Sequence, residues 1–267
     1  MDERALLDLY DRELRIEIEM PGVKKEVFPD LVRFTRPAPG MNFVHYSRLT
    51  EEGMDEAIAA QVDHFSQFDQ PFTWHVFRHD SPASLTSRLE ARGFEKDDDP
   101  DAVLVLDLHG GIPSMAVPDG VKICRLTVPD QLEDVRKVEA GVLGGDFGWL
   151  VERLSAHMAV PDYLSVYAAY AGNLPVCAGW IYFHPHSQFA GLFGGATLEE
   201  QRGRGIYSAL LSRRIQEAVQ RGRRFITTGA SPMSRPILEK AGFHLVSFAY
   251  DFILKGNPQQ QARPGTG

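Results

Sequence analysis

The chain has 267 residues, 43% of them hydrophobic, and a formal net charge of −8. That length holds one large domain or two modest ones with a substantial core. The acidic balance argues against nucleic acid or an anionic membrane as a partner, and mildly favours cationic substrates such as amines. The only cysteines, Cys124 and Cys177, lie in apolar, strand-like stretches; they exclude a disulfide framework and fit a reducing cytoplasm. No apolar run reaches membrane-spanning length.

The N-terminal "MDERALLDLYDRELR" is acidic and amphipathic, unlike a signal peptide, and the rest of the first forty residues carries mixed signals. "DLVRFTRPAPGMNFVHYSRL" predicts two strands joined at Pro-Ala-Pro-Gly. Residues 51–66 predict a helix with Met54, Ile58, Val62 and Phe65 on one face. A strand "FTWHVFR", a helix "SPASLTSRLEARGF" stopped by Gly93, and a buried strand "AVLVLDL" follow. The Gly- and Pro-rich "HGGIPSMAVPDG" (109–120) marks a domain boundary.

In the second half, "VKICRL" predicts a strand, then "PDQLEDVRKVEAGV" and "FGWLVERLSAHM" two helices. "YLSVYAAY", "VCAGWIYF" and "QFAGLFGGATL" predict three strands, the first two an antiparallel hairpin closed at "AGNLP". After "EEQRGRG", a helix has Ile206, Leu210, Leu211, Ile215 and Val219 on one face. "RRFITTG", "SPMSRPILEKAG" and "FHLVSFAYDFIL" predict strand, helix and strand. The tail "KGNPQQQARPGTG" is polar, low in complexity and expected to be disordered. "SP…LEARGF" and "SP…LEKAGF" end two helices alike, and the elements before them correspond in order, which predicts two tandem related halves. The sequence is thus divided at 1–115, 116–255 and a tail at 256–267.

In "TLEEQRGRGIYSALL", Gly203 and Gly205 alternate with Arg202 and Arg204 just before a helix. A helix N-terminus offers unpaired N–H groups and partial positive charge, and glycines let those donors converge on an anion. The other reading is a glycine turn required only for close packing. A Walker loop is excluded by the missing Gly-Lys-Ser/Thr ending, and the dinucleotide pattern by Ser208 at its third glycine.

With this loop after the fourth strand, and "ILEKAGF" near the end, residues 121–254 resemble the GNAT superfamily of N-acetyltransferases; the first half resembles a degenerate copy. The resemblance implies an α+β fold with a mixed, mostly antiparallel central sheet flanked by helices. It also implies acetyl-CoA as co-substrate, without a metal. The family loop, Gln/Arg-x-x-Gly-x-Gly/Ala, falls on Arg202, Gly205 and Tyr207, where the tyrosine departs from the pattern. The implied cofactor contacts are Arg202, Gly203, Arg204, Gly205, Ile206 and Tyr207 for the pyrophosphate, and the backbone of Ala196, Thr197 and Leu198 for the pantetheine arm. Gly194 and Gly195 suit a close approach by a ligand or another chain, or a simple bulge. The family pattern Asn-x-x-Ala-x-x-x-Tyr falls on Ser231, Ser234 and Leu238. The usual acid is therefore missing, and Ser231 is left to touch CoA or to cap its helix.

Catalytic candidates are thin. Tyr207 and Ser234 are the hydroxyls near the loop. Asp146, in "LGGDFGWL", lies where the family meets acceptors, though turn formation is the plainer role. Glu199 and Glu200 read as solvated or capping carboxylates, and Trp149 as core. His184, His186, His75 and His79 read as surface residues with no third metal ligand at fitting spacing. The first-half loop "LTEEGMDEAIAA" has one glycine, Gly53, beside Glu51, Glu52 and Asp55, which would repel a pyrophosphate. The expected function is transfer of an acyl group, acetyl first, to a small-molecule or peptide amine. A non-catalytic acyl-CoA sensor and a phosphate-binding structural module are the alternatives. A cytoplasmic protein without nucleic-acid or membrane partners is expected, and a homodimer is left open.

Overall fold

The structure is a computed structural model that describes residues 2–36, 40, 42–68, 70–111 and 115–255. The expected Pro-Ala-Pro turn and the tail at 256–267 lie outside the described residues. The chain forms two compact units: Met1–Ala102 with Val246–Gly267, and Val103–Leu245. The break falls at 102/103, not at 115, and the chain returns to the first unit at 246.

The first unit opens with α1 (Glu3–Tyr10), capped by the Asp2 carboxylate on the Ala5 N–H, and runs on as a π-helical segment, Asp11–Ile16. Strands β1 (Lys24–Val27), β2 (Leu31–Thr35) and β3 (Asn42–Ser47) form an antiparallel set. Helix α2 (Met54–Phe65) leads to β4 (Phe72–Phe77), which is parallel to β3. Helix α3 (Leu85–Ala91), short β5 (Glu95–Lys96) and the first residues of β6 (Asp101–Asp107) follow. The last strand of the chain, β12 (His244–Leu254), enters this unit from Val246 and pairs antiparallel with β4 and β5. The apolar spacing of α2 works as expected: Met54, Ile58 and Phe65 are buried against Val44, Trp74 and Phe252.

The second unit takes most of β6, then β7 (Val121–Leu126), α4 (Leu132–Leu143), α5 (Gly148–Met158), β8 (Leu164–Ala171) and β9 (Leu174–Tyr182). It continues through β10 (Phe189–Thr197), α6 (Ile206–Gln220), β11 (Phe225–Ala230) and α7 (Arg235–Lys240). Its strand order is β6-β11-β10-β9-β8-β7. All its pairings from β7 to β10 are antiparallel, and β10–β11 is parallel. Strand alternation sorts the helices onto two faces. Val166, Ala168, Ala178 and Trp180 pack under α4 and α5. Between them, Ser165 and Tyr167 point to α6, where both hydroxyls donate to the Glu217 carboxylate at 2.8 Å.

The sequence repeat is a repeated helix ending. Gly93 and Gly242 both have positive φ, 86° and 93°. After each, the Phe94 and Phe243 N–H groups reach back to the Leu89 and Leu238 carbonyls at 3.1 Å, and both rings are buried. This closure needs a left-handed residue, which glycine supplies without strain.

Candidate functional site

Strand β10 loses its neighbour part-way along. It pairs with β11 only from Phe189 to Gly191, while its pairing with β9 runs on to Thr197 through a bulge between Gly194 and Ala196. From Phe193 onward, one backbone edge of β10 therefore has no strand beside it among the described residues. Ala196 and Thr197 lie on this segment, and the Leu198 N–H is tied to the Val176 carbonyl at 3.0 Å.

A 3-10 turn, Glu199–Gln201, carries the chain from β10 into the glycine loop. Gly203 and Gly205 have φ of 73° and 79°, and Gly205 is the left-handed N-cap of α6. No side chain caps this terminus, and no acidic residue stands in its first turn. A Cβ at Gly203 would meet nothing within 4 Å, and one at Gly205 only the edge of Pro118 at 3.9 Å. Close packing is thus not what these glycines serve. They turn the backbone into a left-handed conformation that no described side chain crowds. Arg202 Nε donates to the Thr197 carbonyl at 3.2 Å, fastening the loop to the end of β10. Arg204 reaches Gln201, and both arginines are exposed.

Behind the bulge stands a buried cation. Arg214, on α6, is 1% exposed. Its Nη1 donates to the Trp180 and Phe193 carbonyls at 3.3 and 3.2 Å, and its Nη2 and the Tyr207 hydroxyl both face Gly195. Its Nε has no partner, and no carboxylate pairs with it among the described residues. Gly179 and Gly195 make room for this arrangement: a Cβ would lie 2.8 Å from Arg214 Nη1 at the first and 2.8 Å from the Tyr207 ring at the second. A Cβ at Gly194 would sit 2.3 Å from the Trp180 ring. The close approaches at Gly194 and Gly195 are therefore made by this chain's own side chains. Burial raises the Tyr207 pKa, and the Arg214 charge works against that rise.

A GCN5-related N-acetyltransferase from Kribbella flavida superposes with a TM-score of 0.71 over 98% of this chain and 97% of its own, at 14% identity. A tandem GNAT protein from the clavulanic acid biosynthesis pathway gives 0.63 over 91% and 86%, also at 14% identity. A GCN5-related N-acetyltransferase from Sphaerobacter thermophilus gives 0.62 over 86% and 81%, at 13% identity. The chain has the GNAT fold. That fold is built as two halves, with a mostly antiparallel mixed sheet flanked by helices. No family model matches the chain, and no curated protein is similar to it in sequence.

Within this GNAT fold the remaining candidates separate. Ser231 Oγ accepts the Ser234 N–H and lies near its hydroxyl, both at 3.3 Å, in the turn before α7, whose N-cap Ser234 makes no side-chain capping bond. Leu238 is core, 1% exposed. Asp146 is exposed and accepts the Gly148 N–H at 3.0 Å, as a turn-forming aspartate does. Glu199 and Glu200 are exposed in the 3-10 turn. Trp149, expected in the core, is 45% exposed beneath Arg153, because helical spacing alone does not say which face a neighbour covers. His184, expected at the surface, is buried and stacked on Tyr182, while His186 is exposed. Nothing in the sequence marks Glu139 on α4: it is buried, its Oε1 has no hydrogen-bond partner among the described residues, and burial raises its pKa. A single glutamate on a helix carries no spacing that marks it as buried.

The first unit has the counterpart geometry, filled differently. β3 and β4 pair only from Asn42–Phe72 to Val44–Trp74, then part. Just beyond, Arg15 Nε donates to the His45 carbonyl at 3.1 Å. Its two Nη atoms hold the Asp80 carboxylate at 2.7 Å, which in turn accepts the Phe77 N–H at 2.9 Å. The guanidinium is fully buried, 3.9 Å over the Phe77 ring. The loop differs too. Gly53 has φ −90°, its N–H is bound by Thr50 Oγ1 at 3.2 Å, and Asp55 and Glu56 occupy the first turn of α2. His79, expected to be solvated, is half-buried between Ser247 at 2.8 Å and Asp11 at 3.1 Å. His75 is likewise half-buried, 2.6 Å from Asp251. Asp11, His79 and Asp80 lie close enough together for a metal, but Arg15 already occupies both carboxylates.

Proposed function

We propose that the second unit uses acetyl-CoA to acylate an amine. The observation that carries this reading is the loop: a left-handed Gly205 and an uncapped α6 stand at the end of a strand whose edge is free. The clear space before Gly203 and Gly205, the arginines beside them and the absence of first-turn carboxylates all suit a pyrophosphate. When bound, acetyl-CoA supplies the acyl group already activated as a thioester. The N–H groups from Gly203 to Tyr207 hold the phosphates, and β10 from Phe193 to Thr197, with no strand beside one edge among the described residues, offers that edge to the amides of the pantetheine arm. Holding donor and amine together contributes much of the rate. Glu139, which burial makes more basic than an exposed carboxylate, takes the amine's proton. The acceptor is a small-molecule or peptide amine, consistent with the charge of −8, and the protein works in the cytoplasm.

The first unit binds no CoA in this reading, because Arg15 fills its parted strands and Thr50 with two carboxylates fills its loop. A sensor that binds acyl-CoA without turnover draws on the core position of Leu238. Release of thiol from acetyl-CoA with pooled amines separates it from an enzyme. The loop itself is tested by Gly205→Glu, which adds bulk and negative charge at the N-cap. Calorimetry should show CoA binding by the native chain and a loss of at least about 1.4 kcal/mol, or tenfold, in the variant. Unchanged affinity would mean that the loop is a turn and nothing more.

A further inference from the structure

We propose that Arg153 receives a carboxylate of the acceptor, so that the amine acylated here is one that also carries an acid group, as an amino acid does. This rests on the acyl-CoA reading and adds to it the class of the acceptor. Trp149, Arg153 and His157 follow one another about a turn apart on α5 and so share one face of that helix. One end of this stripe is fastened to the sheet, where His157 Nδ1 lies 2.8 Å from the Tyr182 hydroxyl on β9. The Tyr182 ring in turn meets the Phe193 ring on β10, edge to face with centroids 5.4 Å apart. Phe193 is 51% exposed and stands just past Gly191, the last residue of β10 that pairs with β11. A donor with its phosphates at Gly203–Gly205 and its pantetheine arm along the free edge brings its acyl end to Phe193. The stripe on α5 therefore borders the place where an amine must meet the acyl group.

Arg153 is half-buried, with its guanidinium 4.7 Å over the Trp149 ring. Among the described residues neither a hydrogen bond nor an ion pair holds it. Other arginines of this unit do have acids: Arg136 is held by Glu133 and Arg221 by Glu217. Arg153 has given up part of its hydration and has no acid in return, which leaves it short of an anion. Glu152 is exposed and adjacent in sequence, so it points to a different side of the helix. Stacking on Trp149 fixes the plane of the guanidinium and leaves its edge N–H groups to grip a carboxylate through two parallel bonds. An ammonium without an acid group meets the same guanidinium only as a like charge. Trp149 and Phe193, both partly exposed, offer apolar surface to the body of the substrate.

The test is thiol release from acetyl-CoA by the full chain with two matched panels: the common amino acids, and the amides and decarboxylated amines made from them. We expect release with an amino acid at a kcat/KM at least about tenfold above that of its amide and its decarboxylated amine, because a site built to pair a group rejects analogues that lack it. Arg153→Met should narrow that preference by about tenfold or more, chiefly through KM. Thermal unfolding checks that the variant is folded; if it is not, the preference of the native chain decides alone. Amides or simple amines used as well as the acids, or a preference that survives in folded Arg153→Met, overturns the proposal and leaves the acyl-CoA reading standing. Calorimetry with CoA separates the remaining cases. CoA binding without release by any member of either panel overturns the acceptor class alone, and failure of the native chain to bind CoA overturns both.

Discussion

Two pairs of parallel strands part in this protein, and they meet different fates. β3 and β4 separate after Val44–Trp74, and the chain's own Arg15 closes the gap with Asp80. β10 and β11 separate after Gly191–Thr227, and among the described residues no strand takes the edge beyond, where the Thr228 hydroxyl donates to the Leu192 carbonyl. A buried arginine stands in the first gap and another beside the second, at the β9–β10 bulge. Arg15 arrives with two carboxylates, whereas Arg214 arrives with none. A neutralised arginine seals a gap. An arginine without a counter-ion leaves electrostatic attraction for something else. The helices behind the gaps repeat the contrast, for α2 begins with carboxylates and α6 with open glycines.

The largest effect should come from dividing the chain where its composition changes. A fragment of residues 116–267 lacks β6, whose residues Val103 to Leu106 are at most 4% exposed and whose Leu104 carbonyl accepts the Thr227 hydroxyl in the second unit. Each such side chain contributes roughly 1.5–3 kcal/mol by burial, together comparable to the about 5–15 kcal/mol that keeps a domain folded. We expect the fragment to be insoluble or unfolded by circular dichroism. A folded fragment with native CoA affinity would dissolve the comparison, because the second half would then stand without its borrowed strand.

A middle-sized effect is expected from Arg15→Met. Removing one partner of a buried ion pair costs about 3–5 kcal/mol, to be read in urea unfolding, with CoA affinity unchanged. The pH dependence sharpens this. Burial opposes ionisation of Asp11, but His79 and Arg15 outweigh it and hold its pKa below the ordinary 3.8. A depressed carboxylate stabilises the fold above 3.8, and that stability is lost as the pH falls through the native value. The variant should lose part of this acid sensitivity. If Arg15→Met instead gained CoA binding in the first unit without loss of stability, the arginine would be a gatekeeper and not a seal.

The smallest effect should come from Glu139→Gln. Burial raises the native pKa of Glu139 above its ordinary 4.5. The wild type therefore loses stability as the pH climbs from 4.5 through the native value, and the glutamine variant does not. Its relative stability should grow over that window and then level off. If Glu139 is the base, the same change lowers turnover by roughly a hundredfold or more and removes the acid limb of the pH profile. A variant with native turnover would leave Glu139 a buried acid with no part in the chemistry.

Much was decided by the sequence alone. Apolar spacing placed α2 and α6, and turn residues placed the β8–β9 hairpin. The pairs Gly93-Phe94 and Gly242-Phe243 marked the repeated ending, because a left-handed closure admits few residues besides glycine. Gly203 and Gly205 were legible for the same reason, since a backbone requirement is written locally. Other features were decided by tertiary structure. Arg15 and Arg214 are ordinary charged residues on helices in the sequence, and only packing makes one a paired seal and the other an unpaired cation. Trp149 and His184 exchanged surface and core because spacing reports a face, not what covers it. The placement of β6 and β12 escaped local reading altogether. A strand carries the same alternating pattern whichever sheet receives it, and the choice of sheet is made by partners far away along the chain.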